Sequence, residues 1–194
     1  MSDRINFVPK IDKIWEAILY LVHKRPHTDH YTIVKLMYLA DREHFRRHGR
    51  PISFDRYQAL PYGPVPSNTL ALLKRAAGQQ GGHAALLAMG IADVPFEVTS
   101  LEKNHVFHSP KRKPNFRKFS RSDLKVLDET VAEHGDKTFY ELYQITHAHF
   151  AYSNAWQHRK KGAKSAAIAY EDMLEPGAIR ARQIEDISFV APHV

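Results

Sequence analysis

Cysteine is absent from the 194-residue chain. That removes disulfides, thiolate metal ligands and a cysteine nucleophile together, so the fold must be held by its core alone. Extended apolar stretches are missing as well. No segment approaches the roughly 18 to 20 consecutive apolar residues that cross a bilayer. The opening MSDRINFVPK is interrupted by charge before any apolar run of signal-peptide length. The expectation is a cytoplasmic protein with no membrane partner. Glycine is scarce, and none of the 9 glycines falls in G-x-x-x-x-G-K-[ST] or G-x-G-x-x-G. No G-x-S-x-G elbow occurs either. With these absent, and with paired carboxylates such as Glu129 and Glu133 readable as an exposed helix face, no catalytic set emerges. A protein that is not an enzyme and needs no cofactor is expected.

What the chain does contain is the composition of a folded globule, 43% hydrophobic and 25% charged. One helix-dominated domain over residues 1–194, mainly α with a small β-hairpin and short strands, is the predicted architecture. Lys and Arg number 28 against 21 acids, for a net charge of +7, and this favours anionic partners.

Along the chain, Ile11, Ile14, Trp15, Ile18, Leu21 and Val22 recur at helical spacing and predict a helix from Pro9 to Lys24, ended by Arg25-Pro26. A second helix runs from a cap at Thr28 or Asp29 to His48, with Gly49 as its stop. Ile33, Leu36, Met37 and Ala40 form its stripe, widened by Val34, Tyr38 and Phe45, with Leu39 on the far side. Its end, DREHFRRHGR, reads as exposed and positive. The segment PISFDRYQALPYGPVP predicts short extended pieces and a turn. A third helix follows from Pro66 or Ser67 to Ala77, and Ala84 to Met89 adds a helical turn. Val94 to His108 reads as two strands around Glu102-Lys103-Asn104. Ser120 with Asp123 forms a capping box for a helix closed by Gly135. Thr138 caps FYELYQITHAHF, where Phe139, Leu142, Tyr143 and Thr146 share a face. The C-terminal ISFVAP is strand-like.

Thirteen histidines raise the question of metal. His44 and His48 share a helical face, but the residues between them are Phe-Arg-Arg, whose cations repel a dication. His147 and His149 would diverge by about 200° on one helix. His27 and His30 could meet in a turn without a third ligand. No metal site is expected. The tract PKRKPNFRKFSR, residues 110–121, carries Lys111, Arg112, Lys113, Arg117, Lys118 and Arg121 with no acid. Phe116 and Phe119 interleave with these cations as in single-strand binders, or else they anchor a solvated loop to the core. Trp15 is core on its stripe, and Trp156 also reads as core.

Lys35-Leu36-Met37-Tyr38-Leu39-Ala40-Asp41 on the second helix, then Ala59 with Tyr62-Gly63-Pro64-Val65, resembles the SocA-like, or Panacea, antitoxin domain. Glu141-Leu142, Thr146-His147 and Trp156 are similar to its E-L…T-H…W segment. The resemblance implies an antitoxin that binds a cognate protein toxin, or delivers it to a protease as an adaptor. It makes Lys35, Leu36, Tyr38, Ala59, Tyr62, Gly63, Pro64, Val65 and Trp156 the family positions. Within the turn, Gly63 permits unusual angles and Pro64 fixes its own φ, so a structural role is expected. Partner contacts then fall to Arg46, Arg47 and Arg50, to the 78–90 loop, and to Lys111, Arg112, Lys113, Arg117 and Lys118. The alternative is a nucleic-acid-binding regulator using tract 110–121, although no separate helix-turn-helix is visible.

Overall fold

The computed structural model describes residues 5–101, 104–177 and 180–191. Eight α-helices are present among them, with strands of only two to four residues, so the fold is mainly α with some β. Helix α1 spans Ile11–Lys24 and α2 spans His30–His48. The Asp29 side chain accepts from Thr32 N at the start of α2, and Gly49 ends it at φ 70°. The wide apolar stripe of α2 has a physical consequence. Ile33, Leu36, Met37 and Ala40 enter one core with α1, while Tyr38, Leu39 and Phe45 enter a second core with Phe7, Phe54, Tyr57 and Leu142. Leu39, placed by the sequence on the far side, is therefore buried too. Each such apolar side chain contributes about 1.5 to 3 kcal/mol on burial. Helix α2 is thus the wall shared by two cores.

A three-stranded sheet pairs β1 (Thr28–Asp29), β5 (Asn104–Phe107) and β4 (Val98–Leu101), with β5 in the middle. Strands β4 and β5 form the expected hairpin, whose turn at 102–103 lies outside the described residues. The second sheet orders β3 (Gly63–Pro66), β2 (Tyr57–Leu60) and β6 (Ala166–Ile168). Leu60 pairs with Gly63, which leaves Pro61 and Tyr62 as the turn. Helices α3 (Ser67–Ala76) and α4 (Gly82–Ala88) close the first core.

Helix α5 (Arg121–His134) opens on the Ser120–Asp123 capping box, both arms of which form. Helix α6 (Phe139–His147) does the same with Thr138 and Glu141. Here the chain departs from a single continuous helix. It breaks at Ala148 and restarts as α7 (Phe150–Gln157), which drops Ala151 and Tyr152 into the second core. The strand reading of ISFVAP is corrected as well. Residues 187–190 belong to α8 (Arg180–Val190), because Ile184 and Ile187, three apart, pack on the second core and the Ser188 hydroxyl donates to Ile184 O. Burial at helical spacing overrides the β-propensity of those four residues. The last three residues of the chain lie outside the described set.

Candidate functional site

The YGPV segment is held by its backbone carbonyls. Tyr152 of α7 donates its hydroxyl to Leu60 O at 3.0 Å. His147, at the end of α6, places Nε2 3.3 Å from Pro61 O. Tyr31 of α2 donates to Tyr62 O at 3.4 Å, and one turn further along α2 Lys35 Nζ donates to Pro64 O at 2.9 Å. Four side chains from three helices therefore clasp four carbonyls of one turn. The two prolines have no N–H to give, so the carbonyls are the handles available.

Lys35 lies beneath this turn with no exposed surface. Its one hydrogen-bond acceptor is Pro64 O, and no carboxylate pairs with it among the described residues. Burial lowers its pKa from 10.5 to about 7. In the unfolded chain the amine protonates near its ordinary value, so between pH 7 and 10.5 the unfolded state binds more protons. Stability should therefore rise with pH across that window and be flat in this group below it. From pH 7 to pH 9 the gain is about 2 kcal/mol. Urea unfolding of wild type and Lys35→Met at both pH values checks it, since the methionine variant should lose this dependence.

Gly63 is the point of closest approach, at φ +101°. A Cβ there would stand 2.6 Å from Lys35 Nζ, 3.0 Å from Thr146 Oγ1 and 3.1 Å from His147 Cε1. The Thr146 hydroxyl is turned inward and donates to Leu142 O at 2.8 Å. The positions singled out by sequence on α2, the turn and α6 thus meet in one place. Leu36 and Tyr38, beside Lys35, face the two cores, and Ala59 and Val65 are buried on the paired strands. Trp156 is only half-buried, packed at the margin of the second core.

Above the clasp lies a row of rings. Centroid distances are 6.1 Å from Tyr62 to Phe139, 6.3 Å to Tyr143, 3.6 Å on to His147, 4.2 Å to Tyr152 and 6.0 Å to Trp156. The Arg159 guanidinium covers the Trp156 ring at 3.9 Å. Tyr62 is 65% exposed and Phe139 51%, so one end of the row stands in solvent, and Tyr140, next to Phe139 on α6, is 64% exposed. Burial lowers the His147 pKa, against the two carbonyls that face its ring nitrogens.

Three buried carboxylates were not legible as site residues in the sequence. Asp41, the last residue of KLMYLAD, accepts from Ile52 N at 2.8 Å, Ser53 N at 2.9 Å and the hydroxyls of Ser53 and Tyr57. Burial raises its pKa while those donors oppose the rise. Asp55 caps α3 from outside, accepting from Asn68 N at 2.9 Å and Thr69 N at 2.8 Å. Asp123 gathers Lys13, His44 and Arg50 at 2.7, 3.1 and 2.9 Å. Burial alone would raise its carboxyl, but the donors of His44 and Lys13 hold it well below the usual carboxylate range. The signal available was a polar residue at a helix end or turn, and it does not name distant partners.

The arginine-rich end of α2 and tract 110–121 prove to adjoin, because Arg50 donates to Ser120 Oγ at 3.1 Å. Much of their charge is paired. Arg46 and Arg47 hold Glu43 at 2.9 and 2.6 Å, and Arg47 also reaches Glu129. Arg112 holds Glu16 at 2.8 Å and Asp93 at 3.0 Å, Lys118 holds Asp12, and Lys111 stands 3.4 Å from Glu97. Lys113 and Arg117 have no acidic partner among the described residues. Phe116 and Phe119 both rest against Tyr20. Both ring nitrogens of His44 are occupied, by Arg50 O and by Ser122 with Asp123.

The clasped turn and the partly exposed aromatic row meet where α2, α6 and α7 face the β2–β3 turn. A family model, Antitoxin SocA-like, Panacea domain, matches residues 33–157, from the first turn of α2 to the end of α7. The chain belongs to this family. No curated protein and no solved structure matches it significantly. Among the described residues no helix is long and apolar enough to cross a membrane.

Proposed function

We propose that this chain is a cytoplasmic antitoxin, and that it neutralises a cognate protein toxin by stoichiometric binding rather than by catalysis. The observation that supports this most is the family match over 33–157, which contains the whole clasped turn and the rings above it. A turn fixed at four carbonyls presents its side chains at little further entropic cost on binding. Lys35 and Thr146 beneath it are bonded to backbone carbonyls, which suits a scaffold better than a reaction centre.

Antitoxins of this family are usually encoded beside their toxin, so co-purification with the product of the adjacent gene tests the proposal. A stable complex of equal stoichiometry, with toxin levels unchanged in vivo, is the expected result. Loss of toxin protein that depends on a host protease would assign the adaptor mode instead. Absence of any complex would remove direct binding.

A further inference from the structure

We infer that the aromatic row headed by Tyr62, with exposed Tyr140 flanking its Phe139 on α6, is the face on which the toxin docks, and that it takes an apolar or aromatic knob set in an acidic protein surface. The inference rests on the antitoxin reading above and names the surface and the chemistry of its partner.

The row joins the β2–β3 turn to the sequence-distant α6 and α7, and leaves its Tyr62–Phe139 end, with Tyr140 next to Phe139, in solvent. Its centre is formed by Tyr, Phe, His and Trp, with charge only around it. Tyr, Trp and Arg at a patch centre with charge at the rim is the composition of an interface hot spot. Exposed Tyr62 is set on a turn held at four carbonyls. Flexible exposure would instead dissipate binding energy in ordering the loop.

The cations that flank the row in sequence point to the partner's charge. Lys137 precedes the cap of α6, and Arg159, Lys160, Lys161 and Lys164 follow α7. None of these five has an acidic partner among the described residues, unlike most cations at the other end of α2 and in tract 110–121. The acids in the same stretch, Asp136 and Glu141, are engaged by Arg25 and by the Thr138 cap. An acidic surface complements that rim. A second copy of this chain would oppose cation to cation. Single-stranded nucleic acid needs free ring faces, but Tyr143, His147 and Tyr152 lie against one another and Arg159 covers Trp156.

Binding of the purified adjacent-gene product to the full chain, measured by calorimetry, tests this. Tyr62→Ala/Tyr140→Ala alters only exposed side chains and should weaken binding by at least about 100-fold, as two interface anchors do. Phe189→Ser, at an exposed apolar position on α8, whose Ile187 packs by Gly49 at the end of α2 opposite the clasp, should leave affinity within about threefold, as a substitution outside the interface does. Circular dichroism of all variants should match wild type. Lys160→Glu/Lys161→Glu/Lys164→Glu should also weaken binding, more so at low ionic strength.

Wild-type binding that survives Tyr62→Ala/Tyr140→Ala within about threefold would overturn the surface assignment while leaving the antitoxin reading standing. Tighter binding by the glutamate variant would overturn the acidic partner. No binding by wild type would overturn both readings. A dimer in sedimentation, or an oligonucleotide complex, that is lost with the tyrosine pair would assign the row to that occupant and refute the inference.

Discussion

Asp41→Ala should cost about 4 kcal/mol of stability, since it strands four buried donors at once. The carboxylate is the acceptor for Ile52 N, Ser53 N and the hydroxyls of Ser53 and Tyr57, with no exposed surface. The hydroxyls can rotate toward other oxygens, but the two N–H groups cannot. Against a total of about 5 to 15 kcal/mol for a domain, such a loss is a large fraction. Asp41→Asn is the informative companion. It keeps the volume and one acceptor oxygen but turns an amide donor toward a donor, so it should recover less than half of the loss. Urea midpoints for the three proteins check this. Equal stability of wild type and Asp41→Asn would mean that charge and acceptor count at this site matter little.

Gly63→Ala should destabilise by about 3 kcal/mol, more than any other single methyl addition at a positive-φ glycine here. Two effects combine. An L-residue is strained at φ +101°, and the new Cβ enters space held by Lys35 Nζ, Thr146 Oγ1 and His147 Cε1. Gly78 separates them, because it has φ +82° but nothing within 4 Å of its Cβ position. Gly78→Ala should therefore show the backbone term alone, about 1 kcal/mol. Gly63→Val should be worse still and reduce folded yield. If Gly63→Ala were instead as stable as wild type but failed to bind partner, the turn would contribute through contact rather than through its shape.

Local determinants were readable from the chain. The caps at Asp29, Ser120 and Thr138 and the stop at Gly49 are fixed by groups within four residues, so they appear where spacing places them. Long-range satisfaction was not readable. Tract 110–121 reads as a free basic run because the acids that hold it lie outside it, Asp93 and Glu97 upstream and Asp12 and Glu16 about a hundred residues away. For the same reason the end of α2 reads as freely positive, although Arg47 and Arg50 are anchored to Glu129 and to Asp123 with Ser120. The aromatic row is another case, since the rings that continue from Tyr62 sit on α6 and α7 and only the fold brings them together. ISFVAP misleads in the opposite way, because its residue types favour strand while Ile184 and Ile187 find their burial at helical spacing.

Growth of cells carrying the adjacent gene under an inducible promoter, with and without this chain, puts the antitoxin reading to its most direct test. Induction alone should arrest growth, and co-expression of the wild-type chain should restore it. Tyr62→Ala/Tyr140→Ala should accumulate to the same level and restore it poorly. Arrest that persists despite full expression of soluble wild-type chain would contradict the assignment.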